Sequence, residues 1–470
     1  MAMIQALSNA SSGLAAAARA AEVASQNVAN AATPGYGRRS LQLSAVVIGG
    51  AGAGVEVAGV HRASDSRLAT DIRVARGGVA AGEARTDALA RIEAAIGPAS
   101  DPRSLAASVT DLEEAFRDAA SDPGDPILLG AVVDRFDRLT DRLSEASGAV
   151  NEARTVAERG IANDVDRLNR ALSEVADLNA QIARAEAAGR DRSALEDRRR
   201  QVIDAVSDIV PLRGLERAGG QIALVTGTGL TLLDGSQPAF LEFDAANVLD
   251  PSMQVGGALS AVTIGGRVVS GGPDGGGLSG GTLGAALSLR DTELPAIQER
   301  LDTFALDLSE RFGPGAADGT VPPGGSFFLD EGAPIDPAPD PGLAGRLALD
   351  PAIRAEPWRL RDGLGSLSEA ALPDGSLLIG HAEALLGHGG RALDALVADL
   401  SRALAARREG AEGRVAAEAN RISAFQTADR ANAVDIDSEM RDLVLIEHMY
   451  EANAKVLQTI DEMLRRLAAI

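Results

Sequence analysis

The sequence predicts a mainly α-helical protein with an inserted β domain. We expect a long helical bundle built from both chain ends, terminal coiled-coil helices and a small β-rich outer domain. Three observations predict this fold class. Apolar residues recur at helical spacing near both ends of the chain, and short β-rich runs are concentrated in its middle. Only 3% of the residues are aromatic although 45% are hydrophobic, so alanine and leucine dominate, as is typical of helix bundles.

The same pattern predicts three parts, each built from segments that are distant in sequence. At 470 residues the chain is long enough to bury several cores. We expect the terminal helices to pair and the β domain to be inserted at the tip. The terminal domain with its exit turn, the helical bundle domain and the β-rich outer domain are expected at 1–60 with 431–470, at 61–211 with 280–313 and 380–430, and at 212–279 with 314–379.

The first predicted element is an amphipathic helix over residues 3–31. Pro34 disfavours a helical conformation at Thr33, so this helix must end just before the proline. Pro34 and Gly35 then fit the centre of a type II turn, whose second central residue needs a positive φ. The alternating three- and four-residue steps of a heptad seam are made by Ile4, Leu7, Ser11, Leu14, Ala18, Ala21, Ser25 and Val28.

The middle of the chain alternates between helical and β-rich patterns. Asp101 is the expected N-cap of one helix, with Pro102 at its first helical position. The expected elements are a hairpin over 41–60, helices over 64–97, 101–123, 125–187 and 193–210, short strands between 212 and 279, a helix over 280–313, loops over 314–345 and helices from about 380 onward. A second heptad seam, inside the long helix, comprises Ile161, Val165, Leu168, Leu172, Val175, Asn179 and Ile182.

The strongest periodic signal lies in residues 435–470. Strict three-four spacing is kept by Leu443, Ile446, Tyr450, Asn453, Leu457, Ile460, Leu464 and Leu467, and a flanking row is formed by Met449, Val456, Met463 and Ile470. So broad an apolar stripe implies burial by more than one neighbour, and identical helices of adjacent subunits could supply it. Asn179 and Asn453 occupy seam positions, where each is either buried to fix the register or simply exposed.

The composition argues against most kinds of chemistry. There is no cysteine, and the four histidines lack metal-ligand spacing, so no metal site is expected. No phosphate-binding loop or nucleophile elbow occurs, so we expect no catalytic residues and no cofactor. The net charge of −22 offers no basic face for nucleic acid. No cleavable signal sequence is expected at the N-terminus, and without a run of 18 apolar residues no membrane span is expected.

Both chain ends resemble bacterial flagellar rod, hook and hook-associated proteins, a family of axial proteins. The segment "NVANAATPGYGRR" is similar to the family's N-terminal signature, although Arg39 stands where the family usually has Gln. The matching residues there are Asn27, Asn30, Thr33, Pro34, Gly35, Tyr36 and Arg38. The matching residues of the C-terminal signature are Asp437, Glu439, Met440, Leu443, Tyr450, Ala452, Ala454, Lys455, Thr459, Asp461, Glu462 and Met463.

Two inner segments indicate the branch of the family. "LNAQIARAEAAGRDRSALEDRRR" and "GGTLGAALSLRDTEL" resemble segments of its hook–filament junction members. The resemblance implies a structural, extracellular flagellar protein, exported by the type III apparatus without a cleaved signal. It implies self-assembly into a tubular ring at the distal end of the hook, joining hook to filament. The implied partners are hook protein, a second junction protein and an export chaperone on the C-terminal helix.

The expected subunit and chaperone contacts lie on the two terminal helices and at the exit turn. They are Ile4, Leu7, Leu14, Asn27, Val28, Asn30, Pro34, Gly35, Tyr36, Arg38, Leu443, Ile446, Tyr450, Asn453, Leu457, Ile460, Leu464 and Leu467. Tyr36 and Arg38 are expected to anchor the turn, either against the next subunit or against the chain's own C-terminal helix. The alternative functions are another axial component, a secreted enzyme on a flagellin-like frame, or a cytosolic coiled-coil scaffold.

Overall fold

A computed structural model confirms the mainly α-helical fold class, since 63% of the chain is helical and the strands occupy a hairpin near its beginning and short segments of its middle. The exit-turn residues Pro34 and Gly35 lie outside the described residues, and so do the side chains of Ile4 and Leu467. The structure describes residues 2–33, 36–48, 51–62, 66–98, 100–271, 277–387, 391–431 and 434–468.

Helices form both ends of the described chain and most of its first half. A π-helical turn, Leu289–Glu293, connects two of them. The helices are α1 (Ala2–Asn30), α2 (Ser66–Ile96), α3 (Leu105–Ser121), α4 (Pro126–Ala187), α5 (Ser193–Asp204), α6 (Gly281–Ser288), α7 (Leu294–Arg311), α8 (Leu343–Arg346), α9 (Pro351–Ala355), α10 (Arg359–Asp362), α11 (Ser376–Gly387), α12 (Leu393–Ala431) and α13 (Ile436–Ala468).

Within the described residues the strands form four small antiparallel sheets. Each strand pairs with a strand that is next to it in sequence. The last two strands are joined by a long loop that contains α8. The sheets are the hairpin β1 (Arg39–Ile48) with β2 (Ala51–Arg62), the four strands β3 (Leu212–Glu216), β4 (Ile222–Thr226), β5 (Thr231–Asp234) and β6 (Gln237–Pro238), the three strands β7 (Leu241–Glu242), β8 (Val262–Ile264) and β9 (Arg267–Val269), and the pair β10 (Phe328–Asp330) with β11 (Leu347–Leu349).

The chain divides into two compact units. The first contains α1, the hairpin, α5, the four-stranded sheet and α13, and the second contains α3, α6 to α11 and the remaining strands. Helices α2, α4 and α12 contribute residues to both. The three-part division predicted from the sequence stays a prediction. The segments are Met1–Gly77, Arg167–Phe240 and Glu418–Ile470 for the first unit, and Gly78–Asp166 and Leu241–Ala417 for the second.

The second unit gathers five of the chain's twelve Phe, Tyr and Trp rings into one core. Five of the nine phenylalanines meet there, with neighbouring ring centroids 5.2–6.3 Å apart. The fully buried ring of His381 completes the cluster from α11. The five rings are Phe116, Phe136, Phe312, Phe327 and Phe328. A helix-rich unit of low aromatic content therefore still has an aromatic centre.

Every residue of the predicted heptad seam of α4 is buried. Asn179, in the first unit, is fully buried and holds the four-stranded sheet on the helix. Its Nδ2 donates to the carbonyl oxygens of Ile222 and Gly235, at 2.9 and 2.6 Å. Its Oδ1 accepts from the Arg199 guanidinium at 2.8 Å. Of the two alternatives for Asn179, burial is the one found.

Two helix boundaries differ from the sequence prediction. Asp101 is not the N-cap of α3, because its carboxylate accepts from the backbone N–H of Arg103 at 2.8 Å in the preceding turn. Ser104 is the N-cap, and its hydroxyl accepts from the N–H of Ala107. Helix α5 ends at Asp204 rather than at Pro211, since the chain tightens into successive turns that bury Val206, Ile209 and Val210.

Candidate assembly site at the paired terminal helices

Helices α1 and α13 pair antiparallel in heptad register. Asn27 of α1 donates from Nδ2 to Glu439 Oε2 of α13 at 3.0 Å. Nearer the start of α1, Gly13 lies against Asn453, since a Cβ added to the glycine would be 2.9 Å from Asn453 Oδ1. Gly13 and Asn27 are fourteen residues apart, as are Glu439 and Asn453. This spacing is two heptads on each helix, so the two contacts fall on one seam.

The paired surfaces differ in side-chain size. Along α1 the buried residues are small apart from one valine and one asparagine: Ala10, Ala16, Ala17, Val23, Ala24 and Asn27. Along α13 the seam is large, with Ile460 buried and Leu443, Ile446, Asn453 and Leu457 half-buried. Small residues allow two helix backbones to approach closely. The face of α1 that carries Leu7 is therefore not its most buried face.

The hairpin runs back along α1 and covers another side of it. The N–H of Val55 donates to the Ser12 hydroxyl at 3.2 Å, and the Gln5 side chain donates to the carbonyl of Gly52. Gly54 has φ +109°, and a Cβ there would lie 2.2 Å from Ser12 Oγ. Only glycine fits this close approach at this backbone conformation. The chain that leaves α1 thus turns back toward the beginning of the same helix.

Five residues form what we call the exit cluster, where the chain leaves α1: Asn27, Tyr36, Arg38, Arg39 and Glu439. Asn27 lies at its centre, and its Oδ1 accepts from the Tyr36 hydroxyl and from the N–H of Arg39, both at 2.9 Å. Its Nδ2 donates to the Arg39 carbonyl at 2.8 Å and to Glu439. One buried amide side chain therefore provides hydrogen-bond partners for both the backbone N–H and the carbonyl of Arg39.

Glu439 supplies the negative charge of the exit cluster. It is only 2% exposed, and Arg38 Nε donates to its Oε1 at 2.7 Å while Asn27 donates to its other oxygen. A second acid, Asp442, lies 3.5 Å from Arg38 Nη2. Glu439 lies in the first turn of α13, where the helix dipole favours a carboxylate. Arg38 is thus held by the chain's own C-terminal helix, one of the two alternatives left by the sequence.

Arg39 extends the exit cluster to α5. Its guanidinium lies 4.9 Å from the centroid of the Tyr36 ring, and its Nη2 donates to Asp197 at 2.9 Å. Burial raises the pKa of the Tyr36 hydroxyl above its ordinary value of 10.0, and the nearby Arg39 charge opposes this shift. The phenol therefore stays protonated and continues to donate to Asn27. The arginine that departs from the usual family pattern thus takes part in both a stacking and an ionic contact.

The structure places the other predicted contact residues as follows. Leu7, Tyr450 and Leu464 are exposed, whereas Leu14, Val28 and Asn30 are half-buried. The sequence prediction brought Asn27, Tyr36 and Arg38 into one site, but it left Gly13, Arg39, Asp197 and Glu439 out of the contact set. A signal for Glu439 existed, because an acid within an apolar helical motif needs a cationic partner, here the partly exposed Arg38.

Pairing with α1 leaves a second apolar surface of α13 open, which we call the outer face. Its residues lie four or seven positions apart on one side of the helix and are 44–58% exposed: Leu445, Met449, Val456 and Met463. The exposed Ile436, Met440 and Val444 lie on the other side of the seam. Contiguous apolar side chains on a protein surface mark sites of interaction.

The described residues offer neither a metal site nor a membrane-spanning helix. No group of three or more His, Cys, Asp or Glu side chains among them is arranged to hold a metal ion. No helix in those ranges combines the length and apolar character needed to cross a bilayer.

Comparison with protein families identifies the chain. A family model described as flagellar hook-associated protein FlgK helical domain matches residues 89–328, just over half of the 470 residues. The chain belongs to the FlgK family of flagellar hook-associated proteins. Models described as flagella basal body rod protein and flagellar basal body rod FlgEFG protein C-terminal match residues 7–36 and 426–470. The predicted resemblance to the hook-associated branch of the axial family is confirmed.

FlgK-family relatives named flagellar hook-associated protein 1 match over long stretches. The protein of Escherichia coli K12 is 26% identical over 65% of this chain and 56% of its own length. The protein of Salmonella typhimurium LT2 is 25% identical over 70% of this chain and 60% of its own length. The chain thus spans less than two thirds of these two relatives. The protein of Bacillus subtilis 168 is 24% identical over 98% of this chain and 97% of its own length. A solved structure, the flagellar hook junction protein FlgK of Burkholderia pseudomallei, is 20% identical with a TM-score of 0.44, over 55% of this chain and 46% of the other.

Proposed function

We propose that this chain is a structural protein that polymerises at the distal end of the flagellar hook and joins the hook to the filament. Membership of the FlgK family and relatives named hook-associated protein 1 support this role. The observation that carries it is the outer face of α13. An extended apolar surface beside a completed helix pair requires a partner outside the chain.

Neighbouring copies of the chain supply that partner in the proposed assembly. Burial of exposed apolar surface is favourable by about 25 cal/mol per Å², so a row of large side chains provides a substantial driving force. Two of the four residues of the outer face are methionines, whose flexible side chains adapt to a neighbouring surface. The exit cluster fixes where α1 ends against α13, so every copy presents the outer face in the same register.

Export is part of the same proposal, and the control of assembly follows from the outer face of α13. The chain is exported without a cleaved signal to the extracellular flagellum, where it contacts hook protein on one side and the second junction protein on the other. An export chaperone holds α13 before export by covering its outer face. Chaperone and neighbouring subunit then compete for one surface, so that polymerisation is prevented inside the cell. The role is structural and requires neither catalysis nor a cofactor.

The experiment replaces the chain in a strain that lacks its gene. A truncation that removes residues from 440 onward is expected to leave hooks without filaments in electron micrographs. The double variant Met449→Glu, Val456→Glu is expected to do the same, because it places charges on the outer face. Gln458→Glu, on an exposed part of α13 outside that face, is the matched control and should restore filaments. Filaments on the hooks of the truncated or doubly charged variant would refute the proposal.

A further inference from the structure

A short loop of the second unit presents two leucines directly to solvent. We call residues 363–375, between α10 and α11, the leucine loop. Leu367 is 100% exposed and Leu372 is 86% exposed. The exposed Ile127 at the beginning of α4 belongs to the same region, since Pro373 lies against the chain near Gly124. Isolated exposed leucines are common, but two almost fully exposed leucines five residues apart in one short loop are not.

The leucine loop is held rigidly in place. Asp318 accepts from the N–H of Leu364 at 2.8 Å, and the Arg359 guanidinium donates to the carbonyls of Leu364 and Ser366 at 2.7 and 2.8 Å. Asp362 accepts from the N–H of Ala370 at 2.8 Å. A loop ordered before binding loses little conformational entropy on association. This rigidity distinguishes the leucine loop from a loose connection that exposes apolar residues by chance.

Acidic side chains surround the exposed leucines. Asp122 and Asp374 are exposed on either side of the contact between the leucine loop and the end of α3. Glu369, between the two leucines, keeps 60% of its side chain in solvent although it reaches Arg361 at 3.2 Å. The tip therefore combines an apolar centre with an acidic rim, the usual composition of a protein–protein contact of defined charge.

The other end of α3 carries a surface of opposite character. A groove of about 340 Å³, the arginine groove, lies there between α3 and α4, with Pro102 at its edge. Four arginines line it, against three acids: Arg103, Arg135, Arg138 and Arg142. Arg138 is exposed and makes no ion pair with any residue in the described ranges, and Arg103 is largely exposed. In a chain of net charge −22, a groove with a surplus of arginine is the natural site for an acidic rim.

We propose that the leucine loop of one copy docks into the arginine groove of the next copy. Helix α3 has 17 residues and is about 25 Å long, so the two surfaces lie at opposite ends of one rigid element. A contact between two different surfaces is heterologous and propagates from copy to copy, closing into a ring if the rotation allows. Leu367 and Leu372 pack on the aliphatic stems of the arginines. The acidic rim pairs with the guanidinium groups of Arg138 and Arg103, since Arg135 and Arg142 are bound to Asp111 and Glu145. The proposal rests on the proposed function and names a contact within the ring.

Single cysteines test the contact cleanly, because the natural sequence has none. Two full-length chains, one with Leu372→Cys and one with Arg138→Cys, are mixed under assembling conditions and oxidised. We expect the mixed disulfide dimer to exceed, by at least tenfold, the dimer formed when Val248→Cys replaces Leu372→Cys. Val248 is exposed in the same unit but lies outside both surfaces. A mixed dimer no more abundant than with Val248→Cys, or a predominant dimer of Leu372→Cys with itself, would overturn the docking proposal.

Charge exchange in cells separates this contact from the proposed function. Arg138→Glu alone should reduce the number of hooks with filaments, and adding Glu369→Arg in the same chain should restore it, since every contact then carries the exchanged pair. If the wild-type chain restores filaments and Arg138→Glu does not reduce them, the contact is rejected and the junction role remains intact. If the wild-type chain itself formed no junction in the deletion strain, both would be rejected.

Discussion

Asn27 and Glu439, 412 positions apart in the sequence, meet at 3.0 Å between the end of α1 and the first turn of α13. Their contact joins the two ends of the chain, and the exit segment binds to the same pair through Tyr36 and Arg38. The point where the chain leaves its first helix is therefore defined by residues from both ends.

Glu439→Gln is expected to loosen the exit cluster. The substitution keeps the shape of the side chain but removes the charge that binds Arg38, and a hydrogen bond to a charged group contributes about 1.5–3 kcal/mol. We expect faster hydrogen exchange in the first turns of α13 and a loss of about 1–2 kcal/mol, because Arg38 is partly exposed to solvent. Asp442→Asn, at the more distant and half-exposed partner of Arg38, should change exchange little. Equal effects of the two variants would contradict a special role for Glu439.

Gly13→Leu is expected to separate α1 from α13. The leucine would overlap the Asn453 side chain, because a Cβ added to Gly13 would already lie 3.1 Å from Asn453 Cγ. Overpacking of this kind destabilises by about 1–3 kcal/mol. Thermal unfolding of the helix pair measures the loss, and Ser8→Leu, on an exposed part of α1, is the control. Restoration of stability by Asn453→Ala in the Gly13→Leu background would confirm the contact, and no restoration would contradict it.

Asn179→Leu is expected to detach the four-stranded sheet from α4. The carbonyls of Ile222 and Gly235 would lose their side-chain donor in a buried place, and each unsatisfied group costs about 1–3 kcal/mol. Urea unfolding monitored by circular dichroism should show a loss of about 2–4 kcal/mol. Gln181→Leu, on the exposed side of the same helix, should be nearly neutral. A stabilised Asn179→Leu variant would show that these hydrogen bonds do not hold the sheet.

The terminal and middle seams show how far the sequence alone could lead. The heptad pattern of α4 put Asn179 on the seam, because helix period determines which residues share a face, but it left open whether the side chain is buried. The same reasoning could not select the buried face of α1, since alanine and glycine carry little periodic signal and the close approach at Gly13 depends on Asn453. Asn27, Tyr36 and Arg38 were found through their motif. Glu439 was missed as their partner because pairing across the chain is a tertiary property.

The burial of His381 leads us to expect that the free energy of unfolding falls at acidic pH. Burial lowers the pKa of His381 from 6.5 to about 4, and both ring nitrogens lack hydrogen-bond partners within the described part of the chain. The carboxylate of Asp318 opposes the shift, but it already accepts hydrogen bonds from Thr320 and Leu364. Because the unfolded chain binds a proton more readily than the folded one, stability is complete above pH 6.5. It falls as the pH decreases toward 4, by about 3 kcal/mol in total.

The pH dependence of the thermal midpoint measures this loss. His381→Leu keeps an apolar side chain in the phenylalanine cluster and removes the titrating group, so the midpoint should change less between pH 6.5 and 4. The exposed His448 on α13 offers a matched control, since His448→Leu should leave the acid-dependent loss in place. Identical pH profiles for wild type and His381→Leu would contradict the assignment.

Electron microscopy of flagella from a strain that lacks this gene tests the central claim most directly. The account predicts hooks without filaments together with unassembled flagellin in the medium, and recovery of filaments when the full-length chain is supplied. Hooks that carry normal filaments in the absence of the chain would contradict its role as the junction between hook and filament.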